Sequence, residues 1–161
     1  APCGGCALWA GFNCKVLYNN RNRRPETEEV ELGVEYASKD DLLAQSDTVI
    51  VIVSTTDVVI DAAALRKMKK TASLVNVARG PTVDTDALVA ALKSGEIASA
   101  GLDVIDPEPP ATDHPIYSLN NAILAPHRGS ATVKTRRGMA QLCVDNLLAG
   151  LEGKDLLARA N

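Results

Sequence analysis

Short apolar runs rich in β-branched residues recur along the chain, separated by stretches with a helical period. The runs are Lys15 to Tyr18, Thr48 to Val53, Ser73 to Val77, Ala100 to Val104 and Ala122 to Ala125. Each has the length of a strand. Between several of them the pattern changes. Lys39 to Gln45 has Asp40 and Asp41 early and Leu42 and Leu43 within it. Asp61 to Lys70 places Ala64, Leu65 and Met68 on one face and ends in lysines, which suit a helix C-terminus. Asp84 to Ser94 is the clearest helix: Asp84 is a good N-cap, Leu88 and Leu92 lie four apart, and Gly95 stops it. A last long helix is expected from about Ser130 to Leu148, with Val133, Met139 or Ala140, Cys143, Val144, Leu147 and Leu148 as its apolar stripe.

Strands alternating with helices predict an α/β fold, a doubly wound and mostly parallel sheet with helices on both faces. The 161 residues suit one domain, 46% of them hydrophobic and 23% charged, the balance of a globular chain. Aromatics are only 3%, so the core must be aliphatic. A net charge of −3 without single-sign blocks argues against nucleic acid or a membrane surface as partner. No apolar run approaches the roughly 18 residues that span a bilayer. No secretory signal is seen, which places the protein in the cytoplasm. Four cysteines are present, and Cys3 and Cys6 have CxxC spacing. A zinc site needs a second pair or nearby histidines, so no metal is expected and ordinary thiols are the simpler reading.

In an open α/β sheet, ligands bind beyond the C-terminal ends of the strands. Four consecutive runs deliver polar groups there: Ser54, Thr55 and Thr56; Arg79 and Gly80; Asp103, with Glu108 in the loop after it; and His127, Gly129 and Ser130. The loop from Asp106 to Pro115 is too rich in proline for helix or central strand. Arg, Glu and His together suit reduction of a 2-oxo acid. Arg79 would hold the carboxylate, His127 would protonate the new alkoxide, and Glu108 would orient His127. The hydride must come from a cofactor. Taken singly, each residue has a structural reading as a turn or a solvated loop charge; their shared position makes the set. His114 has no such partner and receives no role.

Four segments carry a family resemblance. Asn76-Val77-Ala78-Arg79-Gly80 resembles the N-[IV]-[AS]-R-G segment of the D-isomer-specific 2-hydroxyacid dehydrogenases. Gly95 to Val104 resembles their G-x-I-x-x-A-x-L-D-V, Pro107-Glu108-Pro109 their x-E-P, and Pro126 to Thr132 their P-H-x-G-[SA]-x-T. Order and spacing agree from about Lys15 to Leu151. The Pro-rich loop with the later Gly-Ser-Ala-Thr is more similar to glyoxylate/hydroxypyruvate reductases than to phosphoglycerate dehydrogenases. The resemblance implies a Rossmann-like fold with Arg79, Glu108 and His127 as catalytic residues. Asp103 would lie near the nicotinamide, with Thr55, Ala78, Gly129 and Ser130 lining the cofactor and substrate crevice. It also implies a small 2-oxo or 2-hydroxy acid substrate and a homodimer for a full-length member.

In that fold the strand from Lys15 to Tyr18 is the second, and NAD enzymes place an acid after it to bind the ribose 2′-hydroxyl. Here Asn19-Asn20-Arg21-Asn22-Arg23-Arg24 follows, without an acid. Asn20, Arg21 and Arg24 are expected to favour the 2′-phosphate, hence NADP over NAD; a solvated basic turn is the alternative. Three departures are expected. The first strand and its Gly-rich turn are missing, so residues 1–161 form a partial cofactor domain. The helix and tail over 130–161 would pack on a substrate domain that is absent. Arg128, and a short loop after Ser54, alter the edge of the site. The rival readings are a catalytically inactive nucleotide-fold fragment, a dinucleotide-sensing interaction module, and a thiol protein using Cys3 and Cys6.

Overall fold

The computed structural model describes residues 14–159, so Cys3, Cys6 and the turn they sit in lie outside the described residues. The chain forms two compact units, residues 1–124 and 125–161. In the first, β3 (Thr48–Val51), β4 (Ser73–Asn76), β5 (Ser99–Leu102) and β6 (Ala122–Leu124) lie side by side in chain order. All their pairings are parallel, as the alternation of strand and helix predicts. A second sheet pairs β1 (Val16–Tyr18) with β2 (Val34–Tyr36), also in parallel. Among the described residues the two sheets share no strand pairing.

The helices of this unit are α1 (Glu26–Leu32), α2 (Lys39–Gln45), α3 (Ala62–Lys67) and α4 (Thr85–Ser94). The starts of α2, α3 and α4 are set by side-chain caps. Ser38 accepts from Asp41 N at 3.1 Å, Asp61 from Ala64 N at 2.7 Å and Asp84 from Ala87 N at 3.0 Å. Gly95 closes α4 with φ of 69°, where a β-carbon would be strained. The core is aliphatic, with Leu43, Leu65, Leu74, Leu88, Ile97 and Ile116 almost wholly buried. Most strands stop short of the apolar runs that encode them; β3 ends at Val51 and leaves Ile52 more than half exposed. Helix α3 ends at Lys67 rather than Lys70, because Met68 turns to extended backbone as it enters the core. Elements α1 and β2 carry no period that stands out in the sequence. Seven residues with four glutamates, then three strand residues, are too short and too polar to read.

What holds α1 to β1 is a buried carboxylate. Glu29, only 6% exposed, receives a bidentate pair from Arg23, both bonds 2.8 Å, and a 2.6 Å bond from the Tyr18 hydroxyl. The same hydroxyl accepts from Arg24 N at 2.8 Å. Tyr36 packs edge-on against Tyr18, and the Arg23 guanidinium lies over the Tyr36 ring. The bonds from Arg23, then that from Tyr18, hold the Glu29 carboxyl down at about 2.

In the second unit, α5 (Val133–Leu151) starts three residues later than the expected Ser130, because Thr132 is the cap and accepts from Thr135 N at 3.1 Å. None of its residues is buried within the chain. The tail folds back on it through Asn146, which donates to Ala158 O at 2.9 Å and accepts from Ala158 N at 3.1 Å.

The Glu29 carboxyl sits below its ordinary value of 4.5, so its contribution to stability is full above that pH and is lost as pH falls towards 2. A Glu29→Gln variant should unfold at lower temperature than wild type at pH 7, with the gap closing between about pH 4.5 and 2. A gap that stays constant over that range in thermal melts would show that the ion pair is not the cause.

Candidate active site

The parallel register brings Val51, Asn76, Leu102 and Leu124 to one level, so the chain leaves β3, β4, β5 and β6 at a common edge. Thr55, Arg79 and Asp103 all follow that edge within the first unit. Asp103 N donates to Asn76 O at 3.0 Å, extending the ladder one step beyond β5 and fixing where Asp103 begins its loop.

The Arg79 turn is built on Asn76, a residue the sequence offers only as part of a motif. Asn76 is 1% exposed at the end of β4, after Leu74 and Val75. Its Oδ1 accepts from Ala78 N and its Nδ2 donates to Arg79 O, both at 3.1 Å. Thr82, fully buried, donates through Oγ1 to the same Arg79 oxygen at 2.6 Å. The turn is therefore satisfied internally, with Ala78 buried and the Arg79 side chain exposed. Arg79 Nη1 reaches back to Ala78 O at 2.7 Å, which leaves other guanidinium donors for a carboxylate.

Gly80 begins a short 3-10 turn, Gly80–Thr82. A β-carbon here would overlap the carbonyl of Ile105 and lie 2.8 Å from Asp106 N. The Arg79 turn therefore rests directly on the backbone that opens the Pro-rich loop. Thr85 Oγ1 adds a 2.8 Å bond to Asp106 O. Glu108 follows two residues later, exposed between Pro107 and Pro109, with both X-Pro peptide bonds cis. Gly80, Thr82 and Thr85 thus couple the loops of Arg79 and Glu108; only a packing contact distant in sequence could show it. His114 accepts from Ile116 N through Nδ1 at 3.2 Å and caps the turn Pro115–Ser118, a structural task. Thr55 accepts from Asp57 N at 3.1 Å and donates to Asp57 Oδ2 at 3.0 Å, closing the loop after β3.

In the second unit, His127 has φ of 50°, the only positive φ among described non-glycine residues. The left-handed region costs an L-residue roughly 1–2 kcal/mol, and such positions cluster at functional sites. His127 N bonds Ala125 O at 3.0 Å across Pro126. Gly129 and Ser130 lie in the following turn, closed by Ala131 N to Arg128 O at 3.0 Å.

Residues 6–129 match the model of the D-isomer specific 2-hydroxyacid dehydrogenase NAD binding domain. The chain belongs to that family. Among the dehydrogenases it is similar to the glyoxylate reductase of Thermococcus kodakarensis, 50% identical over 147 residues, which make up 89% of this chain and 44% of the relative. The holo structure of Rhodotorula graminis D-mandelate dehydrogenase superposes with a TM-score of 0.88 at 34% identity, over 97% of this chain and 46% of that one. The NADPH-dependent glyoxylate/hydroxypyruvate reductase of Sinorhizobium meliloti gives 0.86 at 37% identity, over 95% and 48%. The chain spans less than half the length of these relatives.

The residues present suit a dinucleotide. A cavity of about 590 Å³ runs beside β1 and β3, and its lining past their C-terminal ends is Asn19, Asn20, Arg24, Ile52 and Val53, none of them a carboxylate. An apolar wall with amide and guanidinium donors is compatible in chemistry with a dinucleotide. Arg21 is exposed on the same turn. Arg24 pairs with Glu28 at 2.8 Å, and Arg23 is held by Glu29, so the basic knot is partly neutralised by α1.

Gly80→Ala should destabilise the chain by about 1–3 kcal/mol through overpacking. Gly138→Ala, in mid-α5 with nothing within 4 Å of the new carbon, should be neutral or stabilising. Urea unfolding of both variants checks this; equal effects would remove the close approach as the cause.

Proposed function

We propose that this domain binds NADP in preference to NAD and that, in the full-length protein, it serves the reduction of glyoxylate or hydroxypyruvate to the 2-hydroxy acid. The observation that carries the cofactor preference is the carboxylate-free turn after β1, where Asn20, Arg21 and Arg24 stand in place of the acid that would bind a ribose 2′-hydroxyl. The similarity to reductases of glyoxylate and hydroxypyruvate supports the substrate. The bound nicotinamide supplies a hydride to the carbonyl carbon.

The chain's own residues do the rest. Arg79 holds the substrate carboxylate with the donors left after its bond to Ala78, and its charge polarises the adjacent carbonyl. As the carbon accepts the hydride, the carbonyl oxygen takes the proton from His127, and Glu108 steadies the imidazolium that must be present before transfer. Asp103, just past the end of β5, would hold the nicotinamide carboxamide, and Thr55, Ala78, Gly129 and Ser130 would line the crevice. The face of α5 bearing Val144, Leu147, Leu148 and Leu151, each at least half exposed, packs against the substrate-binding part of the full-length protein.

Titration of the 161-residue chain with NADPH and NADH, followed by nicotinamide fluorescence, tests the first step. Tighter binding of NADPH is expected, with Arg21→Ala and Arg24→Ala narrowing the difference; equal affinities would end the preference. In the full-length protein, His127→Ala should lower kcat by about 10²–10⁴-fold. Arg79→Lys should raise KM for glyoxylate because it loses the planar fork. Unchanged turnover in His127→Ala would remove the proposed acid.

A further inference from the structure

The turn over residues 19–25 is tied down at both ends. At its start Asn19 Nδ2 donates to Ala37 O at 2.8 Å, just past β2. At its far end the Tyr18 hydroxyl accepts from Arg24 N at 2.8 Å. The last residue of β1 thus reaches six positions along the chain and fastens the turn to its own strand. Asn20, Arg21 and Asn22, between the two ties, are exposed. Arg24 differs from them. Its backbone is pinned by Tyr18, its Nη1 pairs with Glu28 of α1 at 2.8 Å, and its side chain is 26% exposed.

The direction of these bonds is fixed by proton count. A phenol has one hydrogen to give. Tyr18 gives it to Glu29 Oε1 at 2.6 Å, and a carboxyl held at about 2 has no proton to return. The hydroxyl lone pairs are therefore left for the N–H of Arg24. Burial, then the bond to Glu29, raises the Tyr18 hydroxyl above its ordinary value of 10, so it keeps its proton. Arg23 supplies the other two bonds to Glu29 and is occupied there. A chain of bonds thus runs from Arg23 through Glu29 and Tyr18 to the backbone of Arg24.

We propose that Tyr18 is a specificity-determining positioning residue: by accepting the Arg24 N–H it fixes Arg24 for the 2′-phosphate of the cofactor, without touching the cofactor itself. The inference rests on the NADP reading above and names which cation of the turn does most of the work. An arginine already held in place loses less freedom when it grips an anion. Its planar fork has donors beyond the one on Glu28, and that partly exposed pair yields to a phosphate at small cost. Arg21, in solvent, has to be ordered at each binding event. NADH lacks the phosphate and gains nothing from the pinning.

The test uses the full-length protein, with NADPH and NADH titrated separately by nicotinamide fluorescence and thermal melts run beside them. Tyr18→Phe keeps the ring against Tyr36 and removes the oxygen. It should weaken NADPH by about three- to tenfold, the size of one hydrogen bond, and leave NADH within about twofold. In an Arg24→Ala background the same change should move NADPH affinity by less than about twofold, because the residue it acts through is gone. Arg24→Ala should also weaken NADPH more than Arg21→Ala, a comparison that stands even where Tyr18→Phe does not fold. Equal weakening of NADPH and NADH by Tyr18→Phe would mark a merely structural tyrosine and overturn the proposal. So would full additivity with Arg24→Ala, or a larger effect of Arg21→Ala. Wild-type protein that binds both cofactors equally overturns the NADP reading and this one with it. Wild-type protein that prefers NADPH, with the preference intact in Tyr18→Phe, overturns the positioning role alone.

Discussion

Gly80 lies so close to the backbone at Ile105 and Asp106 that no side chain fits between them. Much of the candidate site depends on that contact. The turn bearing Arg79 is closed by Asn76 and Thr82, both buried, and is thus a rigid body with few internal choices. The loop bearing Glu108 has little secondary structure to hold it. Pressing the rigid turn onto the start of the loop, and tying Thr85 to Asp106, transfers the order of the sheet to the carboxylate. Surface loops carry chemistry only when a scaffold positions them, and here a glycine does so by the side chain it lacks.

A different economy governs the turn after β1. Seven positions, 19–25, separate the strand from α1, and the turn includes three arginines. The fold spends one of them on structure: Arg23 grips the buried Glu29 while Tyr18 closes the carboxylate from another side. Removing either partner leaves a buried charge or phenol without its bond, a far larger loss than that of a surface ion pair. Arg24 shares its charge with Glu28, and Arg21 stays in solvent. The basic knot seen in the sequence is therefore three residues with three different jobs, and only Asn20, Arg21 and the unshared part of Arg24 remain for an anion.

The chain alone determined a good deal. The β-branched runs, the cap at Asp84 and the stop at Gly95 were legible because strands and helix ends are decided by residues within a few positions of one another. The family was legible because four motifs stand in order, and residues 6–129 match it. Parallel topology followed from the alternation of elements, since a crossover helix between neighbouring strands leaves few other arrangements. The convergence of Thr55, Arg79 and Asp103 on one edge follows in turn from that topology and its register.

Tertiary structure decided the rest. Elements α1 and β2 are short and polar, and they exist because Glu29 finds Arg23 and Tyr18. The ends of β3 and α3 moved from their expected places because Met68 and the ladder partners on β4 set them, not local propensity. The left-handed turn at His127 and the steric demand at Gly80 leave no mark in composition or period. Each depends on atoms far along the chain, or on a backbone angle that a one-letter string does not carry.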